Sequence, residues 1–449
     1  MDDILYDLAQ TILNKLQLAG ADQAEVVIVR SSTYSLELTK NITNNLHNIG
    51  ISILARVAFG KKVGGSSINF AMFSNKKFNE ELLERFVKEV IKNAKLASED
   101  PRFISFAYPK SGSSISVFDP LIETVDESII IDFLGVVQKK IMELNIRSFN
   151  ISLELSASRG FILNSNGIDV EDEGTNFSLL TEIQIKDLQI VEGSDVCYGR
   201  RLSEIYKCED IGINAYKNAK AAVGGKELKE PIEGELVAYN LVIPDFLWPL
   251  SHHISALEVI EGRSAFSEKI GEAVASKKLT ILDDGTLPIG LSTSKFDGEG
   301  LPKQRTVIIH KGVLKNFIYD SYSAYYYGKE STGNAYRAEE DVYPAPWNIV
   351  IEPGKYNFDN LVNLVDKGFL VNTPPMGSHT IDYISGDFSL TFSYGFYIKN
   401  GEISKVISPL TVSGNFFDLL KNVIEVGKDS RILPFGYVPS IVFSNVLFR

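Results

Sequence analysis

Apolar residues recur at helical spacing from residue 3 to residue 18. Ile4, Leu5, Leu8, Ile12, Leu13 and Leu16 form one stripe, and Gly20 offers a stop. Beyond it the period shortens. "AEVVIVRS" and "YSLELTKN" predict two strands around a polar turn at Ser31–Thr33, "GISILARVAFG" predicts a third, and "GKKVGGSS" reads as a glycine-rich turn. A helix is predicted near 78–98, with Leu82, Leu83, Phe86, Val87, Val90 and Ile91 on its apolar side. The same order then returns. A helix over 126–144 carries Ile129, Ile130, Phe133, Leu134, Val137 and Ile141. "FNISLELSAS" and "GFILNSNG" resemble a hairpin, "TNFSLLTEIQI" a further strand, and 202–222 a helix with Ile205, Ile211 and Ala215. Helix, three strands, helix thus occurs twice, roughly 120 residues apart, a duplication of shape with little identity between the copies.

The polar, proline-interrupted stretch at 223–234 is the candidate linker. After it, strands dominate: "ELVAYNLVI", "KKLTILDD", "QRTVIIHKGVLKNFIYD", "WNIVIEP", "FSLTFSYGFYIKNGEISKVISPLTVSG" and "SIVFSNVLF". "HKGVLKN" and "IKNGEIS" each place a glycine between two strand-like runs, as hairpins do. Helices are predicted only near 244–260, 358–365 and 415–426. The expected fold class is α+β. An N-terminal domain (1–222) would hold the two helix–antiparallel strands–helix units, at about 1–100 and 125–222. A strand-rich barrel or pair of sheets with a few helices would fill 235–449.

Composition narrows the function. With 44% hydrophobic and 23% charged residues in 449, the chain reads as globular. Its net charge of −12 argues against a nucleic-acid partner, which would call for a basic face. No apolar run reaches the roughly 18 residues that suggest a membrane span, and "MDDILYDLAQ" is acidic where a secretory signal is basic. Cys197 and Cys208 are too few for a disulfide framework and are read as buried, inert thiols, so a cytoplasmic location is expected.

"SHHISALEVIEG" (251–262) is the stretch most suggestive of a metal helix, and its spacing is wrong for one. A zinc-hydrolase helix needs two imidazoles one turn apart. His252 and His253 are neighbours, which diverge by about 100° on a helix. Neither HExxH nor HExxxH occurs in the chain. A polar site would have to draw His252, His253, Glu258, His310 and His379 from distant segments. Nucleotide and nucleophile-elbow motifs are also absent: "AKAAVGGKE" lacks the upstream glycine and the following Ser or Thr of a phosphate loop, and no GxSxG occurs. Asp283–Asp284 and Asp297/Glu299 fall in apparent turns, where Asp commonly bonds its own backbone. The most distinctive block joins a glycine-kinked "FDGEGLP" to "ESTGNAYR", a small-residue loop able to approach a ligand, across the tyrosine cluster "SYSAYYYG".

That block resembles the TldD/PmbA family. The family's fDxEG turn is matched by Phe296, Asp297, Glu299 and Gly300, and its sTGNaxR loop by Ser331, Thr332, Gly333, Asn334, Ala335 and Arg337. "GADQAEVVI", "LNSNG", "EGRSAFSEKIGE", "LTILDD", "SGDFSLTFSYGFYIKNGEI" and "LTVSGNFFDLL" resemble other family segments in the same order. The family has two kinds of subunit. The TldD kind carries HExxxH on a helix and a further cysteine toward the carboxyl end, which together suit zinc. This sequence has neither, since no cysteine follows Cys208, and so it resembles the PmbA (TldE) kind.

The resemblance implies a non-zinc subunit of a heteromeric metalloprotease acting on unfolded peptides, without catalysis of its own. Zinc is expected in a TldD-like HExxxH partner and none in this chain. The family's older label, modulator of DNA gyrase, gains no support from the acidic charge. Asp297, Glu299, Asn334 and Arg337 are the expected polar residues of an interface or substrate chamber, where an extended peptide would add to a sheet edge. Two other readings stay open: a homodimer that holds peptides without cleaving them, and a stand-alone hydrolase built on the histidines above.

Overall fold

The computed structural model describes residues 2–71, 79–112, 115–186, 190–376 and 381–449. The N-terminal half is one six-stranded antiparallel sheet. Its strands are β1 (Gln23–Leu38), β2 (Ile42–Phe59), β3 (Lys62–Ala71), β4 (Ser148–Asn164), β5 (Asp169–Lys186) and β6 (Ile190–Gly199), in the order β3-β2-β1-β4-β5-β6. The first unit is flanked by helices α1 (Asp2–Leu18) and α2 (Glu80–Leu96). After the short α3 (Pro120–Glu123), the second is flanked by α4 (Glu127–Met142) and α5 (Ile211–Ala221). The duplicated helix–strands–helix unit is therefore present, and the two copies meet where β1 pairs with β4.

That meeting explains two departures from expectation. Ser31–Thr33 is no turn, and 149–167 is no hairpin: β1 and β4 each run unbroken for 16 and 17 residues. Each strand serves two cores. Ala24, Val26 and Ile28 of β1 lie under α1 and α2, while Tyr34, Leu36 and Leu38 lie under α4. In β4, Phe161 and Leu163 join the first core and Phe149 to Ala157 the second. The small polar residues between them mark the handover from one core to the other, where no large side chain is required. Ser31 stays paired on both sides, with Gly50 of β2 and Ser158 of β4.

"GKKVGGSS" is also mostly strand. Only Gly60 and Lys61 turn, and β3 follows. Its Gly64 is needed for packing, because a Cβ there would lie 2.6 Å from the Ala94 backbone of α2. The helix expected over 202–222 is split into a 3-10 segment (Leu202–Cys208) and α5, with Glu209 and Asp210 between them. Cys197 and Cys208, expected as thiols, are joined as a disulfide that ties β6 to the 3-10 segment.

The C-terminal half holds two larger sheets and a hairpin. The eight-stranded sheet curls into a half-barrel. It contains β7 (Ile232–Ala238), β14 (Lys367–Val371), β15 (Asp387–Phe392), β16 (Gly395–Lys399), β17 (Glu402–Ile407), β18 (Leu410–Asn415), β19 (Val423–Val426) and β22 (Ile441–Phe448). The six-stranded sheet contains β8 (Ile281–Asp284), β9 (Arg305–His310), β10 (Val313–Leu314), β13 (Ile349–Ile351), β20 (Arg431–Leu433) and β21 (Gly436–Val438). The separate hairpin is β11 (Ala335–Ala338) with β12 (Asp341–Pro344). Both predicted glycine hairpins form: Lys311–Gly312 and Asn400–Gly401 all have positive φ, the geometry of two-residue turns between twisted strands.

Phe246, Phe392, Phe443, Ile308 and Ile349 belong to one core shared by the two large sheets. The helix expected near 244–260 is three short pieces: α6 (Ile243–Leu247), α7 (Pro249–His253) and α8 (Ala256–Ile260). Pro249 starts the second piece. Ser255 leaves the helix to bridge with Ile318, and Ala256 N–H bonds the Ile318 carbonyl. Helix α9 (Ser321–Tyr326) is capped by Asp320, whose carboxylate accepts the Ser323 N–H. Helix α10 is Phe358–Asn363. Helix α11 (Phe416–Lys421) stops before the predicted 426, because Val423–Val426 pairs with β22 instead. No helix among the described residues is long and apolar enough to cross a membrane.

Candidate functional site

The "FDGEGLP" and "STGN" turns stack backbone against backbone. Gly333 has a φ of +67°, and a Cβ on it would lie 2.3 Å from the Pro302 carbonyl oxygen, so only glycine fits. This contact gathers the four polar residues predicted from sequence. Asp297 Oδ1 accepts the N–H groups of Glu299 and Leu301, each at 2.9 Å, and its Oδ2 accepts Ala335 N–H at 3.1 Å. Glu299 accepts both Ser321 N–H (2.9 Å) and Ser321 Oγ–H (2.6 Å). Asn334 donates to Asp283 at 2.6 Å, and Arg337 donates to the Gly298 carbonyl through Nε and Nη2.

Around these four lie further charged groups that were not expected at the site. Arg337 Nη2 bonds Glu25 of β1 at 2.8 Å, and Arg56 of β2 bonds the same oxygen at 2.5 Å. Asp283 is not in a turn. It ends no loop but lies fully buried in β8, accepting Trp347 N–H, Asn348 N–H and the Asn334 amide. Lys303 is buried with its Nζ 3.3 Å from the centre of the Trp347 ring, and it donates to the Ser292 carbonyl. Each of these lies in a different segment, so no local spacing could have announced the cluster.

Burial sets the protonation states. Desolvation pushes Asp283 and Asp297 up to about 6. It pushes Glu299 up to about 8, helped by the nearby carboxylates of Asp320, Asp297 and Glu25. Lys303 is lowered to about 7 by the same loss of water. Glu25 is the exception: Arg337 and Arg56 outweigh its burial and hold it at about 2.

Two cavities open beside this cluster, sharing Ser292, Tyr336 and Trp347 as a common wall. The smaller, about 460 Å³, is lined by Asp297, Lys303 and Arg337 and by the N-terminal sheet. The larger, about 810 Å³, is lined by aromatic and proline side chains, among them Trp248, Tyr343, Trp347 and Phe435, and by all of β12. Trp248 and Tyr343 remain half exposed there. Tyr336 and Tyr343 face each other across the hairpin with ring centres 5.5 Å apart. Among the described residues, no backbone group outside β11 bonds to Asp341, Val342 or Tyr343, so β12 presents an open strand edge to the groove. Glu299 and Asn334 line neither cavity.

The histidines of "SHHISALEVIEG" divide. His252 lines the larger groove, 3.3 Å from Glu258. Glu258 is already gripped by Arg263 at 2.6 and 3.0 Å. His253 is fully buried against Phe266, Phe416 and Phe417, and its Nδ1 accepts Ala265 N–H. Burial, then the neighbouring His252, lowers its pKa to about 4, so it is neutral at pH 7. The two rings stand edge to face with centres 5.2 Å apart. His310 sits exposed at the end of β9 and lines neither cavity, and His379 lies outside the described residues. A zinc ion does not fit these donors. The second imidazole is turned into the aromatic core, the carboxylate is held by a guanidinium, and no three His, Cys, Asp or Glu side chains among the described residues are placed to hold a metal ion.

Fold and site together define a PmbA/TldD-type architecture, and the comparisons agree. Residues 234–449 match the model of the PmbA/TldA metallopeptidase C-terminal domain. An uncharacterized protein of Methanocaldococcus jannaschii is 31% identical over 95% of this chain and 96% of its own. The chain belongs to the PmbA/TldD family. A protein of Buchnera aphidicola subsp. Acyrthosiphon pisum named metalloprotease PmbA homolog is 23% identical over 94% of this chain and 92% of its own. The crystal structure of TldE from Thermococcus kodakarensis superimposes with a TM-score of 0.88, at 23% identity, over 98% of this chain and 99% of that one, so the two share a fold.

Proposed function

We infer that the chain is the non-zinc, TldE-like subunit of a heteromeric metalloprotease. It presents extended, unfolded peptides to a zinc-bearing HExxxH partner and performs no bond cleavage of its own. The observation that carries this reading is the 810 Å³ groove with the open edge of β12 along it. A strand edge supplies main-chain N–H and C=O groups to any extended peptide, whatever its sequence, and the exposed aromatic rings cover its apolar side chains. His252 is the one histidine among the described residues that lines the groove, and its neighbour His253 is turned into the aromatic core. The location and the pairing belong to the same proposal.

The test is reconstitution. Mixing the purified chain with a zinc-loaded HExxxH paralogue is expected to produce peptidase activity that neither shows alone. Full activity from the paralogue by itself would remove the case for a required subunit. Peptide binding by a homodimer with no effect on any paralogue would point to a holding module instead.

A further inference from the structure

The smaller cavity meets the peptide groove along Ser292, Tyr336 and Trp347, yet its chemistry differs. Part of its wall is the apolar surface of the N-terminal sheet, including Val27, Val29 and Ile162. Against this surface stand two largely buried guanidiniums, Arg200 and Arg337, and the buried Lys303, lowered to about 7, which an anion beside it would hold protonated. Among the described residues, neither Arg200 nor Lys303 has a carboxylate at ion-pair distance. Arg200 is held by the carbonyls of Gly290, Leu291, Thr293 and Val117, and its Nε has no acceptor. Arg337 shares the single carboxylate of Glu25 with Arg56, and its Nη1 has no acceptor.

Of the four carboxylates that line the cavity, Glu339 is exposed and the other three are engaged elsewhere. Asp297 caps three backbone N–H groups, Asp172 accepts Glu173 N–H and Phe296 N–H, and Glu173 lies 3.6 Å from Arg159. Asp172, Asp297 and Asp283 act on Lys303, and Asp172 and Glu204 on Arg200, only from beyond ion-pair distance, and buried donors without acceptors are costly, so an anion in direct contact would be favoured here. The apolar wall beside them gives that visitor a second requirement.

We propose that this cavity is the subsite for the C-terminal residue of the bound peptide. The terminal carboxylate lies among Lys303, Arg200 and Arg337, and an apolar side chain lies against Val27, Val29 and Ile162. The proposal rests on the groove being a peptide site and adds the substrate class: chains with a free carboxyl end and an apolar last residue. Trp347 stands at the threshold, with its ring in the wall of both spaces and Lys303 held on one face.

The experiment compares hexapeptides ending in leucine, as free acid and as C-terminal amide, for binding to the full chain by fluorescence anisotropy. The acid is expected to bind about tenfold or more tightly than the amide, since a charge-assisted contact is lost on amidation. Lys303→Met keeps the stem over Trp347 and removes the charge. It is expected to erase most of that preference, read as the ratio of acid to amide affinity within the variant. Where this variant does not fold, the wild-type acid-to-amide ratio carries the test. Equal binding of acid and amide overturns the subsite and leaves the groove intact. Binding of neither overturns the groove and the subsite with it. Displacement of the acid peptide by inorganic phosphate as effectively as by unlabelled acid peptide marks a general anion site, and the terminal-residue assignment then fails.

Discussion

Of the ion pairs that join the N-terminal half to the C-terminal half, two have little in common beyond their charges. Glu25 and Arg337 meet with side chains 1% and 8% exposed, while Arg102 and Glu261 meet with 40% and 34% exposed. The first pair sits inside a set of groups that each need it. The second belongs to a surface chain running from Arg102 through Glu261 and Arg263 to Glu258, where water can replace any partner. Equal charges therefore carry unequal weight, because burial decides what is left behind when one of them is removed.

The largest effect is expected from Glu25→Ala. It strands Arg56 and Arg337 together, both buried, with no other carboxylate at ion-pair distance among the described residues. Breaking a buried pair from one side typically costs about 3–5 kcal/mol. The expected outcome is a large fall in unfolding free energy by denaturant titration, accompanied by loosening of the turns that Arg337 holds through Gly298. A loss no larger than that of a surface variant would show that the guanidiniums find water, and would end the argument from burial.

Glu299→Gln separates charge from hydrogen bonding. In the folded chain Glu299 keeps its proton to about pH 8, whereas a free glutamate releases it near 4.5. The group's stabilising contribution is complete below 4.5 and is lost as pH rises through 8. A glutamine still bonds Ser321, accepting the N–H through its oxygen and donating to a hydroxyl that turns round. Wild type and variant are expected to melt alike at pH 5. At pH 9 the variant should be more stable, by on the order of 1–2 kcal/mol. Parallel melting profiles across that range would mean Glu299 is already ionised at neutral pH.

The same contrast separates what the sequence disclosed from what it did not. The helices 3–18, 78–98 and 126–144 were legible because each packs one stripe against a sheet, and a stripe repeats. The hairpins at Lys311–Gly312 and Asn400–Gly401 were legible because their backbone demands glycine or asparagine locally. Strands β1 and β4 were misjudged because a strand crossing from one core to another carries polar residues in its middle, and a turn carries the same residues. The break at Ser255 was invisible because its cause is Ile318, more than sixty residues away. At the site, Asp297, Glu299, Asn334 and Arg337 stood out through the two glycine-kinked turns. Glu25, Arg56, Arg200 and Lys303 sit in or beside ordinary strands and turns. Only tertiary burial gives those four their shifted or unmatched charge.

Arg102→Ala is expected to have the smallest effect. Arg102 loses its bond to Glu261, but Glu261 keeps Arg263 within 3.8 Å and faces solvent. Tyr322 holds the same region to Asp100 at 2.8 Å, independently of the arginine. Thermal melting is expected to match wild type within its error, at low and at high salt alike. If the variant instead approaches the loss seen for Glu25→Ala, the exposed link must be holding the two halves in register. The buried cluster would then owe its geometry to a surface contact rather than to its own satisfied bonds.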